Sequence, residues 1–261
     1  MTEASRILHL PAGPLEVTVQ GEGPTLVLLP SLGRGQEDFD GIAVPLLAAG
    51  LRLLRPEPRG IGRSAPLAPG ATLHDMAADV AAALRMLGGA PALAAGHAAG
   101  NWVARTLAHD EPGLVKGVAM LAAVIGGESP PDIRASIDAC ADASLPDAVR
   151  LHHLARAYFA PGHDARVWLA GWHRDVALAQ RRASQATTDR AWLRAAERVP
   201  LLYVGAEHDV ISPPPTRDAL RGQVGPLAEV VVIPDAGHAL LPEQPEATAR
   251  ALVDFARHLW S

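Results

Sequence analysis

From about residue 24 to residue 124, short unbroken apolar runs alternate with longer stretches in which apolar residues recur every three to four positions. Short apolar runs bounded by turn residues read as buried strands, and the longer recurrence reads as amphipathic helices. Strands alternating with helices predict a mostly parallel central sheet flanked by helices, an α/β fold. Ile7 to Leu10 and Leu15 to Val19 flank the turn Pro11-Ala12-Gly13-Pro14 and are expected to pair as an antiparallel lead-in hairpin. Thr25 to Leu29 reads as a strand buried on both faces, followed by strands at Leu51 to Leu54, Ala92 to Ala95 and Val115 to Ala123. Leu73, Met76, Val80, Leu84 and Leu87 mark the apolar stripe of one helix, and others are predicted over Phe39 to Ala49 and Gly100 to His109.

Beyond Gly126-Gly127 the rhythm changes. Pro130-Pro131 opens a stretch in which Ile133, Ile137, Leu145, Val149 and Leu154 keep helical spacing, and no strand-like run appears until after Trp192. The α/β pattern then resumes with Leu201 to Val204, a helix near Thr216 to Arg221, a strand Glu229 to Ile233 and a closing helix Glu246 to Leu259. Two segments, 1–125 and 193–261, are therefore expected to form one core, with 126–192 as a helical insertion.

Composition narrows the class of partner. With 261 residues, 49% of them hydrophobic and 20% charged, the chain can bury a full core, which excludes a disordered or disulfide-scaffolded protein. The net charge of −5 comes without a basic cluster longer than Gln180-Arg181-Arg182, so nucleic acid and anionic membranes are not expected as partners, and a small molecule is. No apolar run reaches the roughly 18 residues of a membrane span. The single Cys140 cannot form an internal disulfide, and the polar start Met1-Thr2-Glu3-Ala4-Ser5-Arg6 lacks the apolar region of a signal peptide, so a cytoplasmic location is expected. The oligomeric state, monomer or homodimer, is open.

Three short segments carry candidate chemistry. Gly96-His97-Ala98-Ala99-Gly100 joins a strand to a helix, the setting in which a tight turn lifts one side chain above the sheet edge. Glycine at such a junction also serves close packing, so the turn alone is weak evidence. Gly205-Ala206-Glu207-His208-Asp209 follows a strand and sets an acid on a loop, and Pro234-Asp235-Ala236-Gly237-His238 follows the last strand and sets a histidine there. A histidine oriented by an aspartate is a general base, whether the proton comes from a serine, from water or from the substrate.

Over nearly its whole length the chain resembles the α/β-hydrolase family. The resemblance rests on Leu28-Leu29-Pro30-Ser31-Leu32-Gly33, on Glu57-Pro58-Arg59-Gly60-Ile61-Gly62-Arg63-Ser64, on Gly96 to Gly100, on Asp209, and on Gly237-His238 with Glu243-Gln244-Pro245 behind it. It implies an α/β-hydrolase fold whose insertion after the sixth strand caps the active site, an esterase-like activity on a small, largely apolar substrate, and no cofactor. It also implies that Ala98, Asp209 and His238 hold the catalytic positions and that the backbone N–H groups of Leu32 and Ala99 form the oxyanion hole.

Two positions depart from the family pattern. The elbow Gly-x-Ser-x-Gly here has Ala98 at its apex, which removes the covalent serine route, and the usual His-Gly of the oxyanion loop is replaced by Pro30-Ser31. The functional readings then divide. If Ala98 replaces a native serine, the parent is an acyl hydrolase; if it is native, the dyad serves a non-covalent hydrolase, a lyase or a cofactor-independent reaction, or the chain binds a small molecule without turnover. Ser31 is a candidate displaced nucleophile, although a turn serine is expected to hydrogen-bond its own loop. Ser31, Arg34, His97, Trp168 and Trp172 are the candidate substrate contacts, with Arg34 alternatively solvated or paired with Glu37 or Asp38. His152, His153, His163 and His173 have no carboxylate or cysteine at ligand spacing, so no metal is expected.

Overall fold

The computed structural model describes residues 4–125 and 129–261. Eight strands among them form one sheet in the order β1-β2-β4-β3-β5-β6-β7-β8. They are β1 Ala4–Leu10, β2 Gly13–Gln20, β3 Thr25–Leu29, β4 Arg52–Pro56, β5 Ala92–His97, β6 Val115–Leu121, β7 Leu201–Ala206 and β8 Ala228–Ile233. β2 runs antiparallel to both its neighbours and every other pairing is parallel.

The central strands are apolar without alternation because both faces are covered. In β3, Val27 and Leu29 face the helices α2 (Leu73–Leu87) and α3 (Gly100–Asp110), whereas Leu26 and Leu28 face the helix α1 (Asp40–Ala48) and the helix closing the chain. Burial of this kind is worth about 1.5–3 kcal/mol per large aliphatic side chain before entropy is subtracted. α2 begins where the Thr72 hydroxyl accepts the Asp75 N–H and the Asp75 carboxylate accepts the Thr72 N–H, a reciprocal cap.

Several strands run a few residues beyond or short of their expected ends, and two of these differences have a local cause. β4 runs on through Arg55, because that buried guanidinium pairs with Asp40 at 2.5 Å and so can lie in a strand interior. β6 stops at Leu121, because Ala122 turns into the left-handed region at φ 45°.

Between β6 and β7 the described residues form no strand but the helices α4 Pro131–Cys140, α5 Asp147–Ala157 and α6 Arg174–Ala186, with short 3₁₀ turns at Ala165–Trp168 and Ala191–Glu197, joined by loops. The start drawn for the insertion at Gly126 lies outside the described residues. Its own small core joins Ile133, Leu154, Tyr158, Phe159 and Trp168 to Ile211 and Ala239 of the sheet domain. At its other end Trp192 stacks on Arg105 of α3, 4.8 Å from guanidinium to ring centroid, and Ala195 and Ala196 enter the main core. The chain finishes with α7 Arg217–Val224, the short α8 Leu240–Glu243 and α9 Pro245–Trp260.

Strand order positions the site. From β3 the chain moves outward to β4 and then returns to the other side of β3 with β5, so the loops leaving β3 and β5 diverge at the carboxyl edge of the sheet. A crevice at such a switch point is where open α/β sheets bind ligands.

Candidate active site

At the end of β5 the backbone turns sharply, with Ala98 at φ 43°, its N–H donating to the Leu121 carbonyl at 2.8 Å before α3 begins at Gly100. The flanking glycines are sterically required: a Cβ on Gly96 would stand 2.2 Å from the Gly100 carbonyl carbon, and one on Gly100 would stand 2.1 Å from the Leu29 carbonyl oxygen. The elbow is thus clamped between β3 and α3, and a left-handed alanine is tolerated there because its surroundings over-determine it.

The loops after β7 and β8 bring Asp209 and His238 together. His238 Nδ1 lies 2.9 Å from Asp209 Oδ2, with the two side chains only 3% and 0% exposed. The other carboxylate oxygen, Oδ1, accepts the N–H groups of Ile211 at 2.9 Å and Ser212 at 2.8 Å, which fixes the carboxylate plane. A carboxylate oxygen accepts, so Nδ1 is the donor of this bond, and in the neutral imidazole Nε2 is then the free acceptor.

Support for the His238 loop comes from residues that the sequence reading did not assign to that task. Glu243 accepts the Gly237 N–H at 2.7 Å and the Ala160 N–H at 2.6 Å, and the Ala239 N–H donates to the Tyr158 carbonyl at 2.8 Å. Burial raises the Glu243 carboxyl above its ordinary range, partly offset by those two N–H donors. A Cβ on Gly237 would meet the Tyr158 carbonyl at 2.6 Å, so glycine is what allows the histidine loop to lie against the insertion. The signal for Glu243 in the sequence was its place five residues after His238.

Between these loops and the insertion lies a cavity of about 450 Å³, walled by Ser31, Leu32, Ala98, Ala99, Trp172 and His238, with α4 and α6 completing it. Among the described residues, the N–H groups of Leu32 and Ala99 donate to no acceptor. The Ser31 hydroxyl likewise has no partner there, contrary to the expectation that it bonds its own loop, and Ser31 is part of the cavity wall.

Three expected substrate contacts lie elsewhere. His97 is fully buried outside the cavity lining, its Nε2–H donating to the His238 carbonyl at 2.9 Å, and burial pulls its pKa from 6.5 to about 3. Arg34 is buried rather than solvated: it pairs with Asp38 at 2.5 Å and stacks between Trp168 and Trp172, 4.8 and 4.9 Å from their centroids. Trp168 is spent on that stack and on Phe159 and Tyr158, whereas Trp172 does line the cavity. The cause in each case is the same. Residue type announces an aromatic or a charge, but the direction of burial is set by contacts distant in sequence.

The cysteine, the arginine of the loop after β4 and the histidines of the insertion have the following surroundings. Cys140 is buried, which pushes its thiol up to about 12 and keeps it protonated. Arg63 pairs with Glu16 at 2.7 Å. His153 meets the Ser136 hydroxyl at 3.1 Å, His152 packs against His153, and His163 lies 3.4 Å from Asp235, while His173 lines the cavity. Among the described residues no three His, Cys, Asp or Glu side chains are grouped to hold a metal ion, and no helix is long and apolar enough to cross a membrane.

A mostly parallel sheet with an elbow after β5, an acid after β7 and a histidine after β8 defines the α/β-hydrolase class. The chain belongs to the alpha/beta hydrolase family, whose sequence profile matches residues 26–251. Among solved structures it is similar to the putative non-heme bromoperoxidase BpoC of Mycobacterium tuberculosis, at 26% identity and TM-score 0.77 over 94% of this chain and 96% of that one. An esterase of Thermogutta terrifontis matches at 20% identity and TM-score 0.76 over the whole of both chains. The enol-lactonase of Burkholderia xenovorans matches at 21% identity and TM-score 0.74, over 96% and 99%. At these last two identities the likeness is one of fold.

Proposed function

We propose that the chain is a hydrolase of a small, largely apolar, ester-like substrate, with His238 as general base for water and Asp209 as its orienting partner. The observation that carries this reading is the 2.9 Å Nδ1 to Oδ2 bond, enclosed from solvent at the wall of a cavity that also holds Ala98. Ala98 has no side-chain oxygen, so the attacking atom is the oxygen of a water molecule. That oxygen bonds to the carbonyl carbon while its proton passes to Nε2, and the carbonyl electron pair moves onto oxygen. The unpartnered N–H groups of Leu32 and Ala99 are suited to hold that oxyanion, the second of them at the opening of α3, where the helix dipole favours negative charge. Collapse of the intermediate expels the alkoxide, which takes the proton back from His238.

The esterases among the structural neighbours support the substrate class at the level of fold. A second reading follows from Ala98 itself: a member that binds a small molecule in the same cavity without turning it over. A binder has no use for a buried, aligned His–Asp pair, and that favours the enzyme.

The test is hydrolysis of p-nitrophenyl acetate and butyrate by the native protein and by His238→Gln, which keeps a donor toward Asp209. Turnover that falls by at least about 10² in the variant, at nearly unchanged melting temperature, is the expected result. Equal turnover in both forms, or ligand binding with no turnover in either, moves the assignment to the binder.

A further inference from the structure

The loop after β3 that carries Leu32 is tied to the insertion as well as to its own domain. Gly33 sits at φ 62°, and its N–H donates to the Gln180 side-chain oxygen on α6 at 2.8 Å, across 147 residues of chain. Its carbonyl accepts the N–H of His173, the residue opening α6, at 2.8 Å. Both hydrogen-bonding groups of this residue are therefore used by the insertion. A Cβ on Gly33 would lie 2.7 Å from the His173 carbonyl oxygen and 2.9 Å from the Ala177 Cβ, so the first turn of α6 rests directly on the loop. The next residue repeats the pattern, since Arg34 Nη1 donates to the Ala170 carbonyl at 2.6 Å.

We propose that Gln180 is a positioning residue, which sets the peptide plane adjoining the Leu32 N–H and so keeps the oxyanion loop in register only while α6 is seated. The inference rests on the reading of Leu32 as an oxyanion donor. Gln180 is 5% exposed and gives its oxygen to a backbone N–H that has no alternative acceptor, so removing that oxygen leaves a buried donor unpaired. The same helix supplies Arg174, Ala177 and Arg181 to the cavity wall. A displacement of α6 wide enough to admit substrate thus releases the loop, and reseating α6 restores it. Substrate enclosure and assembly of the oxyanion site become one event.

Two variants and two readouts test this on the full chain. Gln180→Met keeps the volume and removes the acceptor, and Gln180→Glu keeps an acceptor oxygen. In amide hydrogen exchange, Gln180→Met is expected to speed exchange of residues 31–34 by about tenfold, with β3 and the α6 segment unchanged, and Gln180→Glu to return it toward the native rate. In p-nitrophenyl butyrate hydrolysis, Gln180→Met is expected to lower kcat by roughly 10- to 100-fold at a KM within about threefold of native, with kcat recovering in Gln180→Glu. Unchanged exchange at 31–34 overturns the proposal, as does faster exchange there with unchanged kcat. Equal damage in both variants overturns it too, since that marks a merely structural role. If the native protein turns over no ester, the hydrolase reading has failed, while exchange at 31–34 still decides whether Gln180 holds the loop.

Discussion

On one wall of the cavity the proposed chemistry belongs to side chains, His238 and Asp209, each enclosed and each held by further side chains and loop N–H groups. On the facing wall it belongs to backbone, the N–H groups of Leu32 and Ala99 on turns whose paths are dictated by glycine contacts and by α6. The two materials respond differently to substitution. A wall made of side chains loses its function with one residue, whereas a wall made of backbone keeps its geometry when the side chain it carries is changed. Ala98 and Ser31 are both changes of the second kind: the elbow still turns at φ 43° over Gly96 and Gly100, although its apex carries a methyl group.

Restoring the side chain at the apex is the strongest way to break that comparison. If the backbone wall is intact, Ala98→Ser adds the one absent atom of a preassembled site, because serine fits the same left-handed turn with one more oxygen. Removing the nucleophile from a serine protease costs about 2 × 10⁶ in kcat, so the gain in ester hydrolysis is expected to lie between about 10³- and 10⁶-fold. Turnover of p-nitrophenyl butyrate by both forms, with mass spectrometry of a fluorophosphonate adduct on residue 98, measures it. A serine form that is neither faster nor labelled would mean that Pro30-Ser31 has moved the oxyanion donors, and that backbone walls are less tolerant than argued.

Next in size is the buried ion pair that anchors the loop carrying the backbone wall. Arg34 is enclosed by Asp38, Trp168 and Trp172, and burial raises the Asp38 carboxyl while Arg34 pulls it back. Arg34→Leu leaves that carboxylate buried without a counter-charge, which costs about 3–5 kcal/mol. Urea unfolding near neutral pH measures the loss, and Arg34→Leu with Asp38→Leu is expected to recover much of it, because an apolar pair no longer carries a desolvated charge. A single-variant loss below about 1 kcal/mol would show that the Arg34–Asp38 pair contributes no more than an exposed ion pair does.

What could be read from the sequence divides along the same line. The strands and the α2 stripe were legible because burial on one or both faces imposes a local period, and the order elbow, acid, histidine was legible because each sits at a strand end. The tasks of Gln180 and Glu243 and the inward turn of Arg34 were not, since their partners lie in other elements and nothing local marks a glutamine as the acceptor for a loop 147 residues away. His97 shows the limit most clearly. Its place beside Ala98 suggested the cavity, but consecutive residues of a strand end point to opposite sides, and the ring lies under the His238 loop.

That buried ring gives the smallest effect and a test of the side-chain wall. His97 donates from Nε2 to the His238 carbonyl, and its pKa falls from 6.5 to about 3, chiefly through burial and next through the nearby His238. In the folded protein it is therefore neutral where the unfolded chain begins to take up a proton. Below 6.5 the unfolded state binds more protons than the folded state, so the contribution is complete above 6.5 and is lost as pH falls toward about 3. One proton taken up only on unfolding gives a slope of at most about 1.4 kcal/mol per pH unit. His97→Gln keeps a donor for the His238 carbonyl and does not titrate, so its stability should change less between pH 7.5 and pH 5.5 than that of the native protein, by roughly 1 kcal/mol. Urea unfolding of both forms at the two pH values makes the comparison. Parallel losses in the two proteins would place the acid sensitivity elsewhere than at His97.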